Sequence, residues 1–245
     1  MSIKKSFNKL TKTFKLTSQR TIITNIILCI VILSSVFILP ELLELFFISI
    51  GINSLISSIL SEIIFILLLF FVYYKDLNKE FKTFKNNFKD CIKNGFKYYV
   101  AGYLCMIFFN LIITIVLKDI SQNESGVRTL LYNLPLYAFI NIAIFAPLAE
   151  ELSFRKSLST VLKNKYIFAL VSGLLFGGAH LMTNIINNTF AFTDLIYILP
   201  YGSLGFAFAL MNEKTKTTFT SITMHAFHNS VTCILLLLVH ISGVM

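Results

Sequence analysis

Tryptophan is missing from this chain of 245 residues, and proline and cysteine occur only four times each. Charged side chains make up 13% of it against 56% hydrophobic ones, which excludes an ordinary soluble domain. The cysteines, Cys29, Cys91, Cys105 and Cys233, stand far apart with no CxxC pair. That spacing excludes a disulfide framework and a cysteine zinc site, and leaves them as packing residues. No small-residue cleavage site precedes Pro40 and Glu41, so the first apolar run reads as a retained span rather than a signal peptide. No internal repeat or low-complexity linker divides the chain.

What is present is apolar length. The mean hydropathy is +0.77, and each membrane helix needs about 20 mostly apolar residues. The expected fold is therefore all-α: a polytopic membrane helix bundle of about seven transmembrane helices plus an N-terminal basic amphipathic helix. Residues 1–20 form that interfacial helix, because Lys4, Lys5, Lys9, Lys12 and Lys15 alternate with Ile3, Phe7, Leu10 and Phe14. Residues 21–245 form a single bundle. Its predicted spans run from Thr21 to Leu39, Ser54 to Tyr74, Phe96 to Leu117, Leu131 to Lys163, Tyr166 to Met182, Phe190 to Met211 and Thr218 to Ile241. The fourth contains no glycine and predicts one helix of about 50 Å, kinked near Pro147.

The net charge of +9 resides beside apolar runs, above all in the lysines from Lys75 to Lys97. Anionic headgroups account for it, so membrane lipids rather than nucleic acid are the expected partners. The segment from Lys118 to Arg128 is nearly balanced in charge and suits the outer side. The positive-inside rule then places a multi-pass protein in the cell membrane with a cytoplasmic N-terminus.

Ionisable residues inside such spans are costly and mark candidate sites. Counted at 1.5 Å per residue from the lysine-rich ends, Glu150 and His180 lie about 20 Å deep and His225 roughly 10–15 Å deep, so the three can meet. Glu151 and Arg155 are four apart and can pair on one helix face, which serves equally as a structural lock. Glu150 points about 100° away, with no partner in its own helix. His225 and Asn229 are also four apart, and His228 sits on an adjacent edge of the same face. Gly173, Gly177 and Gly178 read as close-packing positions between helices, and Phe176 as core.

These residues resemble the three motifs of the CPBP family, the CAAX proteases and bacteriocin-processing enzymes also called Abi. Glu150-Glu151-Leu152-Ser153-Phe154-Arg155 resembles its EExxxR, Phe176-Gly177-Gly178-Ala179-His180 its FxxxH, and His225-Ala226-Phe227-His228-Asn229 its HxxxN. The similarity covers residues 131–238, the expected catalytic core. It implies an intramembrane endopeptidase in which Glu150 and His180 activate water while His225 and Asn229 stabilise the oxyanion. Glu151 and Arg155 would position the motif helix, and His228 adds an imidazole beside them. The implied partner is a peptide or membrane-protein substrate, such as a bacteriocin or signalling-peptide precursor. No cofactor is expected, although His180, His225 and a glutamate have the donor types of an open Zn²⁺ site. Lys156, where the family commonly has a small residue, departs from the pattern. The rival readings are a non-catalytic membrane scaffold or regulator, and a small transporter, which no inverted repeat supports.

Overall fold

In the computed structural model, residues 21–117 and 121–243 are described. The basic helix expected over residues 1–20 lies outside them. The described helices are α1 (Ile22–Ser49), α2 (Ser54–Asn86), α3 (Phe88–Leu117), α4 (Gln122–Asn133), α5 (Pro135–Val161), α6 (Lys165–Ala179), the short α7 (Met182–Ile186), α8 (Ile198–Thr215) and α9 (Thr218–Ile241). A 3₁₀ turn, Phe192–Tyr197, leads into α8.

Local chemistry sets several helix starts. The side chains of Thr21, Asn53, Ser121, Asn164 and Thr217 each accept a backbone N–H of the turn that follows, satisfying donors that no helix can satisfy by itself. Several boundaries differ from expectation. The helix foreseen from Leu131 to Lys163 breaks at Leu134, whose backbone (φ −136°, ψ 63°) leaves the helical region. Pro135 then opens α5, because its missing N–H costs nothing in a first turn. The first span also runs on through Pro40 to Ser49 instead of ending at Leu39.

Six helical segments are long and apolar enough to cross a membrane, with Lys165–Ala179 shorter. The span expected over Tyr166 to Met182 is therefore a helix of 15 residues, about 22 Å long and below the roughly 30 Å of a hydrocarbon core. The bundle is otherwise the polytopic all-α one anticipated.

Packing centres on α8, which lies against both α6 and α3. Glycine permits that approach. A Cβ on Gly173 would come within 2.8 Å of the Gly202 carbonyl oxygen, and one on Gly177 within 2.6 Å of that of Ile198. Gly178 behaves otherwise: nothing lies within 4 Å of its Cβ position, so it is not a close-packing residue. On the other side, Ile32 of α1 and Phe65, Leu69, Tyr73 and Leu77 of α2 pack with Leu152 of α5 into one apolar cluster. Of the cysteines, Cys29, Cys91 and Cys233 are buried, while Cys105 is exposed on α3.

Because the helices alternate in direction, residues 86–88, 162–164 and 216–217 share one end of the bundle. Lysines gather there, including Lys82, Lys85, Lys89, Lys163, Lys165 and Lys216. The turn at 50–53 and helix α4 lie at the opposite end.

Candidate active site

The EExxxR stretch does not form a plain α-helix. Within α5 two π-helical turns, Asn141–Phe145 and Glu151–Lys156, flank the segment Ala146–Glu150. Such widened turns concentrate at functional sites, and here the first has an identifiable cause. The Ala146 N–H bonds the Asn141 carbonyl, five residues back. In that register the next carbonyl, of Ile142, would be served by residue 147, but Pro147 has no N–H to give. Asn229 of α9 fills the gap, its Nδ2 donating to the Ile142 oxygen at 2.7 Å. The HxxxN motif is thereby bonded to the backbone of the EExxxR helix.

Four residues further back on α9, His225 sits between the two glutamates. Its Nδ1 is 2.9 Å from Glu151 Oε1, and its Nε2 is 3.7 Å from Glu150 Oε2. A carboxylate can only accept, so the short contact places a proton on Nδ1. Nε2 then has a hydrogen to donate only in the imidazolium form.

Below this ring the charges are fully enclosed. Glu151 and Arg155 are both 0% exposed and form an ion pair of 3.2 Å. The guanidinium also lies 4.2 Å from the Phe176 ring centroid and 5.4 Å from that of Phe208, so aromatic faces replace part of its hydration. Lys156, the departure from the family pattern, is buried as well. Its Nζ is 2.6 Å from Glu80 Oε1, while Glu80 Oε2 accepts the Thr218 N–H at 2.7 Å. A buried lysine with its carboxylate thus ties α5 and α2 to the first turn of α9.

His180 caps α6. Its Nδ1 is 2.8 Å from the Phe176 carbonyl oxygen; since a carbonyl only accepts, Nδ1 carries the proton and Nε2 presents a lone pair. The ring stacks on Tyr201 at a centroid distance of 4.1 Å and meets Phe176 edge-on at 4.7 Å. His228 faces away from the glutamates, its Nδ1 3.3 Å from the Tyr99 hydroxyl, with the edges of Tyr99 and Tyr103 against it.

Glu150, His180, His225, His228 and Asn229 all line one cavity of about 850 Å³, inside the size range of small-ligand sites. Glu151 and Arg155 lie behind its wall. The residues singled out in the sequence share this cavity or its wall, together with three partners that sequence reasoning did not indicate. Phe176, read as core, packs against Arg155, His180 and His225. Tyr201 and the Ile142 carbonyl carried no signal as residue types. Among the described residues, no three His, Cys, Asp or Glu side chains are placed to hold a metal ion together, so no step below is routed through one.

The sequence profile of the type II CAAX prenyl endopeptidase Rce1-like family matches residues 132–231. That stretch contains Glu150, Glu151, Arg155, His180, His225, His228 and Asn229. Over that stretch the chain is similar to CAAX-type membrane proteases. It is also 27% identical over 194 residues to the Bacillus subtilis protein YdiL, named a candidate membrane peptidase, with 76% of this chain and 71% of that one covered. It is 29% identical over 196 residues to an uncharacterized protein of Mycoplasma capricolum subsp. capricolum, covering 76% of this chain and 55% of that protein. The chain thus spans a little over half the length of the Mycoplasma relative. No solved structure matches it.

Proposed function

We propose that this protein is an intramembrane endopeptidase that hydrolyses a peptide bond with water activated by Glu150 and His180. The observation that carries the reading is the convergence of Glu150 from α5, His180 from α6 and His225 from α9 on one cavity. Glu150, beside His225 but beyond direct hydrogen-bond range of it, has the carboxylate and His180 the free Nε2 lone pair to accept a proton from water as its oxygen attacks the amide carbon. His225, held through Nδ1 by Glu151, offers Nε2–H in its imidazolium form to the oxygen that gains negative charge. Collapse of the tetrahedral intermediate breaks the C–N bond, and the proton taken from water passes to the departing nitrogen.

Asn229 enters this scheme as a positioning residue, because its amide N–H is engaged by the Ile142 carbonyl. Glu151 and Arg155 fix the His225 ring and the motif helix. The substrate we assign is a short membrane-associated peptide, such as a bacteriocin or signalling-peptide precursor, in a cell membrane that the protein crosses with its lysine-rich end in the cytoplasm.

The test is reconstitution of the purified protein in liposomes with a pool of synthetic peptides made of an apolar segment and a polar tail. Mass spectrometry compares wild type with Glu150→Gln, with and without chelator. Cleavage that disappears in the variant and persists in chelator supports the scheme. Cleavage that survives Glu150→Gln removes it.

A further inference from the structure

We propose that the cavity takes its substrate from the extracytoplasmic side, so that the peptide reaches the site only after being moved across the membrane. Two independent features of the fold lead there. The first is the shape of the cavity. From Glu150 and His225 its walls continue toward α4, along Asn110 and Thr114 of α3 and Thr232 and Leu236 of α9, and end at Asn123, Gly126 and Arg128. Gly126 is exposed, with open space around it. In the other direction the site has a floor: Glu151, Leu152, Arg155, Met211, Thr217, Thr218, Thr220 and Ser221 are each at most 1% exposed. Nothing the size of a peptide passes that way.

The second is the charge asymmetry of the two ends. Lys75, Lys79, Lys82, Lys85, Lys89 and Lys93 line the closed end of α2 and α3, with Lys163, Lys165, Lys214 and Lys216 on the neighbouring turns. Among the described residues, Arg128 is the sole lysine or arginine at the open end, and Glu124 neutralises it at 2.6 Å. Short positively charged connections remain in the cytoplasm. The closed end is therefore cytoplasmic and the open end faces out. A mouth carrying one internally paired charge also suits an extended peptide better than a strongly anionic ligand. Calling the entering molecule a peptide rests on the proposed function; the direction of access does not.

Accessibility of single cysteines decides the matter without any cleavage assay. Lys85→Cys marks the closed end, Gly126→Cys the open end, and Asn110→Cys and Thr232→Cys the cavity wall. The full-length variants, in right-side-out and inverted membrane vesicles, are treated with a charged, membrane-impermeant methanethiosulfonate. Peptide mass spectrometry reads each cysteine separately, so the native four remain in place. We expect Gly126→Cys, Asn110→Cys and Thr232→Cys to react at least tenfold faster in right-side-out vesicles, and Lys85→Cys at least tenfold faster in inverted ones. Reaction of Thr232→Cys and Asn110→Cys from the Lys85 side overturns the proposal. So does a cavity wall inert from both sides while the two end markers react, or end markers that both react from one side. If the cavity labels as expected but no peptide is cut, the peptidase assignment fails and the access route stands.

Discussion

The two halves of the bundle treat buried charge in opposite ways. Toward the lysine-rich end, Glu151 with Arg155 forms a fully buried ion pair, and Lys156 with Glu80 a largely buried one that also holds the α9 N-terminus. Toward α4, Glu150, His180 and His225 hold their functional atoms at a cavity wall, with Glu150 no nearer than 3.7 Å to its closest imidazole nitrogen. Adjacent residues of one motif, Glu150 and Glu151, thus belong to different regimes. Close pairing offsets part of the desolvation and fixes geometry, and looser pairing leaves a group open to the cavity. The lysine-rich half holds the ring of His225, and the other half lines the cavity.

The largest effect should come from the open half. Glu150→Gln keeps size and shape while removing the base, and should lower the cleavage rate by roughly 10²–10⁴-fold with the unfolding midpoint close to wild type. A fall in stability equal to the loss of activity would erase the distinction between the halves. Arg155→Met breaks the closed half instead. It strands the fully buried Glu151 and should cost about 3–5 kcal/mol of stability, read by denaturant titration in detergent. A change below about 1 kcal/mol would show that Glu151 does not depend on the guanidinium.

Between the halves lies the Asn229 bond. Asn229→Ala leaves the Ile142 carbonyl without a donor and should destabilise by about 1–3 kcal/mol. Adding Pro147→Ala returns a backbone N–H to the same helix, so the double variant should recover most of the stability and part of the activity. If activity stays at the Asn229→Ala level while stability returns, Asn229 acts on the substrate rather than through the helix. The smallest effect is expected at Gly178→Ala, within about 0.5 kcal/mol of wild type because its Cβ has open space. The same change at Gly177 drives a methyl into the Ile198 carbonyl and should reduce the folded yield.

Much of this architecture was legible because lipid makes polar residues conspicuous. Glu150, Glu151, Arg155, His180 and His225 stand out in apolar runs, and helical spacing alone related Glu151 to Arg155 and His225 to Asn229. What stayed hidden depends on backbone geometry. The π-turns on either side of Ala146–Glu150 have no residue signature beyond Pro147, and they make the Ile142 carbonyl a partner that no side-chain motif encodes. The convergence of both glutamates on His225 was hidden for the same reason, since a 100° divergence says nothing of a third helix wedged between them. The end of α6 at Ala179 was equally illegible, because the apolar run continues through Leu181 and Met182.

That early end supplies something hydrolysis in a bilayer would otherwise lack. Backbone without regular helix survives at such depth only where protein encloses it or water reaches it. Along 180–191 the chain is stitched by polar links, Asn184 to Asp194 at 2.8 Å and the Ala191 N–H to the same carboxylate at 3.0 Å. A truncated helix with a hydrophilic elbow beside His180 offers water a polar route toward this cavity, where the proposed hydrolysis would consume it.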